Sequence, residues 1–366
     1  MPDGGRKVLT AMSGGVDSSV AAALLVEAGH EVVGATLRTF CYSTEAGHSR
    51  SCCGLEGIAD AKRVARVLGI PHLVYDVEEE FTRDVVDDFV AEYAAGRTPN
   101  PCVRCNSFTK FRDLLRRACD LGAEAVATGH YVRLAPGPGG EAALFRGADP
   151  EKDQAYFLWG ISPTSLPHLH FPLGDLTKER VRERARTMGL VTADKPESQE
   201  ICFVPTGDYR DLLRRRLDAD HDAFRPGSIV DSRGEVVGSH DGYAGFTVGQ
   251  RRGLPGGFSE AMFVLEIRPG TREVVVGPRE SLFKDSVRLE DLNWLAAPPE
   301  EGDEVLLQLR YRAPAVAATV ARVEEEDEEE AWLFHLLRPQ PAVTPGQSGV
   351  VFDGERMLGG GRIRRS

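Results

Sequence analysis

Three cysteines stand in sequence surroundings that suit chemistry better than packing. Cys102 and Cys105 form a Cys-x-x-Cys pair in TPNPCVRCN, and Cys202 lies in SQEICF. Polar, proline-rich or glutamate-rich neighbours favour access to solvent, and an accessible thiolate is a nucleophile. Cys119 lies instead on the helical pattern RDLLRRACDLG. A cysteine usually packs there as a small apolar residue, so we expect Cys119 in the core.

The number and spacing of the cysteines do not indicate a disulfide framework. The chain has seven cysteines, an odd count, and its start, MPDGGRKVLTAM, lacks the profile of a signal peptide. A structural zinc site needs four ligands, and no second Cys-x-x-Cys or nearby histidine pair accompanies the first. Cys41, Cys52 and Cys53 fall in the polar loop FCYSTEAGHSRSCCG, where a metal or redox role stays open but incidental thiols are the preferred interpretation.

A glycine- and serine-rich loop, SGGVDSS at residues 13–19, predicts a phosphate site. It stands between an apolar run and a helical pattern, where glycines let phosphate approach the backbone and a helix N-terminus supplies free N–H groups. No lysine follows the glycines as in a Walker loop, and the pattern is not GxGxxG. We expect Ser13, Ser18 and Ser19 to donate hydroxyls to phosphate and Asp17 to help hold Mg²⁺.

The elements that position these residues alternate as in parallel α/β proteins. Apolar runs at 7–12, 31–37 and 72–78 alternate with helical patterns, and GHY at 129–131 follows another strand, at the edge where such sheets bind ligands. For His130, a structural role and a site role both stay open. The fold class is therefore α/β, an N-terminal doubly wound parallel sheet followed by two small β-rich domains. We place the domains at 1–206, 207–282 and 283–366.

The charge distribution leaves room for an RNA partner. The net charge is −12, but seven acidic residues lie in one run at 324–330, and basic clusters occur at 112–117, 178–186, 210–216, 250–252 and 362–365. Local Lys and Arg clusters can bind phosphates, although each alone also fits a solvated helix face. No apolar run is long enough for a membrane span. We expect a cytoplasmic protein with no membrane partner.

Several ordered motifs resemble one family. SGGVDSS, AGRTPNPCVRCN, ATGHYVR, KDQAYFLW, SQEICF, TVGQRRGL, RYRAP and VTPGQSGVVF together resemble the bacterial tRNA-uridine 2-sulfurtransferases, or tRNA 2-thiouridylases, of the MnmA type. SGGVDSS itself resembles the PP-loop of ATP pyrophosphatases. The resemblance implies ATP-dependent adenylation of the wobble uridine of tRNA and replacement of its C2 oxygen by sulfur. It also implies a sulfur-donor protein, either a cysteine desulfurase or a sulfur relay protein.

The resemblance also implies roles for individual residues. Cys105 is similar to the family nucleophile and Cys202 to the persulfide carrier, and the two can end a turnover as a disulfide; with Asp17 they form the expected catalytic set. The positions that match ATP-binding residues are Ala11, Met12, Ser13, Gly14, Gly15, Val16, Asp17, Ser18, Leu37 and Gly129. The positions that match tRNA-contacting residues are Asn100, Pro101, Cys102, His130, Lys152, Asp153, Gln154, Arg310, Tyr311 and Gln347.

Cys102 departs from the family pattern, which commonly has Asp there. Three cysteines, Cys102, Cys105 and Cys202, can hold a [4Fe-4S] cluster whose fourth iron binds sulfide, so this route is kept beside the persulfide route. Two different functions also stay open. One is that of a PP-loop amidating ligase, which shares adenylation but uses a nitrogen nucleophile, and the second is that of a non-catalytic metal- or RNA-binding module.

Overall fold

The computed structural model describes residues 5–39, 55–197, 201–204, 207–324 and 330–365. Cys41, Cys52 and Cys53 lie outside these residues. The chain divides into two compact units, and each is assembled from separate segments. The first unit comprises 1–86, 102–207 and 355–357, and the second comprises 87–101, 208–354 and 358–366.

The secondary structure follows the predicted alternation in the first half and is strand-rich in the second. The α-helices are α1 Val16–Glu27, α2 Leu55–Leu68, α3 Glu78–Phe81, α4 Asp87–Ala94, α5 Pro101–Arg104, α6 Asp113–Asp120, α7 Lys178–Thr187 and α8 Tyr209–Arg216. The strands are β1 Lys7–Ala11, β2 Glu31–Arg38, β3 His72–Asp76, β4 Ala125–Ala127, β5 Val132–Pro136, β6 Ala142–Arg146, β7 Leu169–His170, β8 Gly227–Val230, β9 Val236–His240, β10 Met262–Arg268, β11 Glu273–Pro278, β12 Phe283–Trp294, β13 Glu304–Gln308, β14 Val316–Glu324, β15 Glu330–Pro341, β16 Ser348–Asp353 and β17 Arg356–Ile363.

The first unit is built on a parallel sheet in the order β3-β2-β1-β4-β7. Central strand β1 pairs with β2 and β4, so that Val8 lies opposite Val32 on one side and Ala125 on the other. Its residues Val8, Leu9 and Thr10 are fully buried, as expected for a parallel strand covered on both faces. The predicted α/β class with a parallel sheet is confirmed.

Helices cover this sheet and fix the loops at its edge. α1 packs against α2 and α7, and α6 packs against β1 and β4. The core between α1, α2 and α7 is formed by Val20, Ala61, Val64, Val181 and Ala185. The prediction that Cys119 is buried is wrong, since it is exposed. α6 turns Leu114 and Ala118 inward, and the next residue along a helix points about 100° away from its neighbour.

The second unit carries two antiparallel-rich sheets. A four-stranded sheet has the order β10-β11-β8-β9, and β12-β15-β14-β13-β16-β17 follow one another in a second sheet in which β12 also pairs with β17. That pairing closes the six strands into a barrel around a core of Val287, Leu307, Val320, Phe334 and Val351. The two predicted β-rich parts are therefore present, while the domain limits at 206 and 282 stay a prediction.

Candidate active site

The loop between β1 and α1 leaves the first turn of α1 open. Gly15 caps the helix in an extended conformation, and it has no side chain to occupy the first-turn amide groups. Gly14 has a φ of +72°, and a Cβ there would lie 2.1 Å from the Gly57 carbonyl oxygen. Glycine alone tolerates both conditions. Open N–H groups at the positive end of a helix form a site for an anion.

Two serine hydroxyls face each other across this loop. Ser18 Oγ accepts a hydrogen bond from the Ser13 amide at 3.1 Å and lies 3.3 Å from Ser13 Oγ. Ser19 is fully buried, and its hydroxyl donates to the Gly15 carbonyl at 2.8 Å. The Ser18 hydroxyl also donates to the Gly15 carbonyl, at 3.2 Å. The loop therefore places the hydroxyls of Ser13 and Ser18 beside each other, and Ser18 and Ser19 both bond back to Gly15 in the first turn of α1.

The predicted nucleotide-binding positions gather at the carboxyl ends of three adjacent strands. Ala11 ends β1, Leu37 lies near the end of β2, and Gly129 follows β4, which pairs with β1. A Cβ on Gly129 would lie 2.7 Å from the Asp17 carbonyl carbon. The backbone after β4 thus approaches the first turn of α1 so closely that a side chain is excluded. This edge is where open α/β sheets bind ligands.

Asp17 is held by a lysine that comes from a distant part of the chain. Lys178 Nζ donates to Asp17 Oδ1 and Oδ2, both at 2.8 Å, and the Tyr131 hydroxyl donates to Oδ1 at 2.6 Å. Burial and the negative charge of Asp17 raise the pKa of Tyr131, so its hydroxyl keeps its proton. The carboxylate therefore enters the site with both oxygens already occupied by donors.

A second carboxylate extends this chain of charges. Glu197 Oε1 lies 2.8 Å from Lys178 Nζ, and Glu197 Oε2 lies 2.8 Å from Lys152 Nζ. Burial opposes ionisation of Glu197, but the hydrogen bonds from Lys152 and Lys178 outweigh it and hold its pKa at about 2. Lys152, one of the residues expected to meet tRNA, is thus joined through Glu197 and Lys178 to the loop carboxylate Asp17.

The neighbouring residues of the Lys152 segment stabilise the same region. Asp153 Oδ1 accepts hydrogen bonds from the Gly147 and Ala155 amides at 3.0 and 3.1 Å. Gln154 Oε1 accepts from the Tyr131 amide at 3.0 Å. These contacts hold the segment beside Tyr131, because the side chains of Asp153 and Gln154 accept hydrogen bonds from the backbone of the first unit. Their contact with tRNA stays a prediction.

Cys105 begins a π-helical stretch, Cys105–Arg112, that continues from α5. Cys102 is exposed and Cys105 is half-buried; residues three apart in a helix share a face, so the pair is adjacent. The next residue, Asn106, is buried and its Nδ2 donates to the Phe157 carbonyl at 3.2 Å, while its Oδ1 is buried with no partner. π-helical turns and unsatisfied buried polar atoms are both frequent at functional sites.

Cys202 is half-buried and is followed by an aromatic anchor. Phe203 is buried and packs edge-on against Phe81 at the end of α3, with ring centroids 5.9 Å apart. Three residues beyond Phe81, the Asp84 carbonyl accepts a hydrogen bond from Arg104, the residue before Cys105, at 3.0 Å. The segments that carry Cys202 and Cys105 therefore pack against the same short stretch of chain.

His130 joins the two halves of the candidate site. Its Nδ1 lies 2.7 Å from Thr128 Oγ1, and its ring packs between Phe111 and Phe171 at centroid distances of 5.8 and 6.4 Å. Burial, with a smaller effect from the charge of Lys110, lowers its pKa well below 6.5. Phe111 belongs to the π-helical stretch that starts at Cys105. Residue 129 therefore contacts the phosphate loop, and residue 130 contacts the cysteine segment.

Further residues that were predicted to contact tRNA lie in the second unit. Gln347 Nε2 donates to the Thr98 carbonyl at 2.7 Å, and the Thr98 amide donates to the Pro345 carbonyl at 2.9 Å. These bonds fix the chain two residues before Asn100, so Gln347 and Asn100 belong to one neighbourhood. Arg310 is exposed and donates to the Ala342 carbonyl at 2.9 Å. Tyr311 is half-buried, with the Arg312 guanidinium 5.4 Å from its ring centroid.

A cavity of about 400 Å³ in the second unit is lined by two arginines of one basic cluster and by the glutamine of another. Arg210 and Arg214 from α8 line it together with Gln250, which precedes two exposed arginines. Its remaining lining residues include Phe224, Ser239, His240 and Phe246. Guanidinium groups beside aromatic rings suit phosphate and base contacts of nucleic acid.

Three site residues were not predicted. Lys178 was recognised only as part of a basic cluster, Tyr131 only as part of the GHY motif, and Glu197 not at all. The sequence contains one usable signal: Thr177 caps α7 and accepts a hydrogen bond from the Arg180 amide, which places Lys178 at a fixed helix start. Nothing local indicates that its side chain reaches a loop near the N-terminus.

The donor sets differ in how well they suit the expected ions. Asp17 offers carboxylate oxygens beside the phosphate loop, which fits a Mg²⁺ ion held mainly by phosphates and water. In the parts of the chain that the structure describes, no three His, Cys, Asp or Glu side chains are grouped to hold a metal ion. Cys102, Cys105 and Cys202 are therefore not grouped as metal ligands in this structure, and the [4Fe-4S] route stays a prediction.

None of the helices in the described ranges is both long and apolar enough to span a membrane.

Comparisons with known proteins extend over nearly the whole chain. Residues 6–206 match the tRNA methyl transferase HUP domain, 217–278 its PRC-barrel domain, and 284–363 the aminomethyltransferase beta-barrel domain. A 4-thiouridine synthetase–RNA complex with bound ATP is similar over 58% of this chain and 50% of that one, at 17% identity and a TM-score of 0.36. That structural similarity is too weak to support an inference.

Curated relatives give the stronger match. A tRNA-specific 2-thiouridylase MnmA of Rhodospirillum centenum is 45% identical over 98% of this chain and 92% of its own length. The one of Carboxydothermus hydrogenoformans is 46% identical over 99% of this chain and 98% of its own. Identity at this level over nearly the whole of both chains identifies the family that the sequence motifs indicated: the chain belongs to the MnmA family of tRNA-specific 2-thiouridylases.

Proposed function

We propose that this protein catalyses ATP-dependent 2-thiolation of the wobble uridine of tRNA. The uridine C2 oxygen attacks the α-phosphorus of ATP, pyrophosphate leaves, and the C2 oxygen becomes part of an AMP leaving group. The main support for the proposal is that two consecutive residues connect the phosphate loop with the cysteine segment. Gly129 lies against the first turn of α1, and the His130 ring packs against Phe111 of the cysteine segment. Adenylation and sulfur transfer need these two sites to serve one base.

The nucleotide half rests on the open first turn of α1. Its N–H groups and the hydroxyls of Ser13 and Ser18 are the proposed ligands of the ATP phosphates. Asp17 is the proposed ligand of Mg²⁺, an ion that would screen the phosphate charge. Loss of pyrophosphate, rather than transfer of a γ-phosphoryl group, follows from the similarity of SGGVDSS to the PP-loop and from the absence of a Walker lysine after the glycines.

Sulfur transfer uses the two cysteines one after the other. The terminal sulfur of a Cys202 persulfide attacks C2, and AMP leaves, which joins uridine to Cys202 through a disulfide. The Cys105 thiolate then attacks Cys202 Sγ, so that a Cys105–Cys202 disulfide forms and 2-thiouridine departs with both bonding electrons. A thiol reductant resets the cysteines. Packing of both cysteine segments near residues 81–84 supports this pairing.

The RNA half involves both units. Proposed contacts are Lys152 beside the nucleotide loop, and Asn100, Arg310, Tyr311 and Gln347 in the second unit, where Gln347 and the Asn100 segment are hydrogen-bonded neighbours. The cavity with Arg210 and Arg214 adds a cationic and aromatic surface. A sulfur-donor protein, a cysteine desulfurase or a relay protein, is the proposed source of the persulfide, and the cytoplasm is the proposed location.

One experiment tests the proposal by measuring adenylation and sulfur transfer in the same reaction. Purified protein is incubated with ATP, Mg²⁺, unmodified tRNA and a cysteine desulfurase with cysteine, and AMP, pyrophosphate and digested nucleosides are measured. Equal amounts of AMP, pyrophosphate and 2-thiouridine support the proposal. Incorporation of nitrogen would favour the amidating ligase, and RNA binding without ATP cleavage would favour the non-catalytic module.

A further inference from the structure

Lys178 is a buried cation beside the phosphate loop, and no sequence motif assigned it a role. Its side chain is 11% exposed, and its Nζ lies 2.8 Å from an oxygen of Asp17 and 2.8 Å from an oxygen of Glu197. Lysine is among the residues that are almost never fully buried unless paired. Lys178 is also the first residue of α7, where the helix dipole disfavours a positive charge. Both features make this position costly for lysine.

Stability alone does not explain such an arrangement. A buried ion pair adds little net stability, because desolvation offsets the attraction between the charges, and apolar residues of similar size often do as well. The two carboxylates and the backbone nevertheless hold Lys178 in place, since its own amide donates to Asp149 Oδ2 at 2.9 Å. The lysine is therefore pre-positioned, charged and screened from water beside a loop that can receive an anion.

We propose that Lys178 is the phosphate-binding lysine of this enzyme and a further catalytic residue. Asp17 and Glu197 position its ammonium group; with ATP bound, the ammonium donates to the triphosphate and stabilises the charge that develops on the pyrophosphate leaving group. Fixed positive charge at a developing negative charge is a large contribution to catalysis in a site screened from water. This inference rests on the proposed function.

The contacts of Asp17 explain how the lysine would be released. Lys178 occupies both oxygens of Asp17, and Tyr131 also donates to Oδ1. A carboxylate oxygen accepts more than one bond, so these contacts do not exclude a Mg²⁺ ion at Asp17. When ATP is bound, one N–H of the ammonium group would turn from Asp17 to a phosphate oxygen, while Glu197 keeps its contact with Lys178 and acts as a positioning residue.

The test compares Lys178→Gln and Lys178→Arg with Arg180→Gln, an exposed residue two positions further along α7. Three quantities are measured: the dissociation constant of inorganic pyrophosphate, the dissociation constant of adenosine, and the rate of pyrophosphate release from ATP with tRNA. We expect Lys178→Gln to slow release about 100-fold or more, as for loss of one preorganised donor. Pyrophosphate affinity should fall with it, and adenosine affinity should not change.

Lys178→Arg keeps the charge and should recover pyrophosphate affinity to within about 10-fold, the effect of a modest change in donor geometry. Arg180→Gln should match the wild type. Wild-type pyrophosphate affinity and release in Lys178→Gln would overturn the inference, and so would equal losses of pyrophosphate and adenosine affinity, which indicate a structural role. If Lys178→Gln does not fold, Lys178→Arg decides: loss of adenosine together with pyrophosphate binding overturns the inference. Failure of the wild type to cleave ATP would instead contradict the proposed function.

Discussion

Lys178 Nζ lies 2.8 Å from both carboxylate oxygens of Asp17, although 161 positions separate the two residues in the sequence. The pair connects the first turn of α1 to the first residue of α7, at the edge of the sheet where the predicted nucleotide-binding residues gather. Asp17 is therefore a structural partner of a buried cation as well as the proposed ligand of Mg²⁺. Its replacement should affect both folding and catalysis.

Asp17→Asn should slow pyrophosphate release about 100-fold or more, a typical effect of losing one preorganised charged group. Loss of one partner of Lys178 should also lower the free energy of unfolding by about 1–3 kcal/mol. Pyrophosphate release and urea unfolding measure the two effects. Asp194→Asn is the matched control, because Asp194 is exposed and paired with Arg186 on the surface. A wild-type rate in Asp17→Asn would refute the role.

Cys105→Ser and Cys202→Ser should each abolish 2-thiouridine formation while ATP affinity stays unchanged. The hydroxyl of serine is a far weaker nucleophile than a thiolate and cannot carry a persulfide. Cys119→Ser is the control, since Cys119 is exposed on α6 and has no proposed role. Full thiolation by either of the first two variants would remove that cysteine from the mechanism.

Cys102→Ala separates the persulfide route from the iron–sulfur route. Because the described side chains form no three-residue metal-binding group, we expect the variant to keep most of its thiolation activity under anaerobic conditions. Iron and sulfide content are measured in parallel on reconstituted wild type. About four irons per chain, lost together with activity in Cys102→Ala, would instead establish a [4Fe-4S] cluster.

Binding of tRNA should weaken as salt rises, because cationic side chains release counterions from phosphates. Removal of two phosphate contacts by Arg210→Gln with Arg214→Gln should reduce the slope of log affinity against log salt by about two. Arg233→Gln is the control, since Arg233 is ion-paired with a surface carboxylate, as Arg210 and Arg214 are, but does not line the cavity. An unchanged slope would remove the cavity from the RNA surface.

His130 should make the protein less stable in mild acid. Its pKa in the folded protein is lowered well below 6.5 by burial, so below about pH 6.5 the unfolded chain binds a proton that the folded chain does not. The free energy of unfolding should therefore fall by about 1.4 kcal/mol per pH unit from this group as pH drops below that value. His130→Gln should lose this part of the slope, and exposed His168→Gln should retain it. Equal slopes for His130→Gln and wild type would contradict the assignment.

The sequence was sufficient for features that depend on local pattern. Apolar runs and helical periodicity predicted the parallel sheet and the strand-rich second half, and the glycines of residues 14 and 15 predicted the open helix start. Long-range pairing was not predictable in the same way. Lys178 and Glu197 meet Asp17 only because α7 packs against α1, and neither residue has a local signature for that contact. Cys119 was misjudged because the prediction relied on the usual burial of free cysteines, whereas α6 turns the preceding residue, Ala118, inward.

Thiolation of the wobble uridine is tested most directly by nucleoside analysis of tRNA after a single turnover by persulfide-loaded protein with ATP and Mg²⁺. We expect one 2-thiouridine at the wobble position for each AMP and pyrophosphate released, with a Cys105–Cys202 disulfide left on the protein. Release of ADP and phosphate, or AMP and pyrophosphate without sulfur in the tRNA, would contradict it.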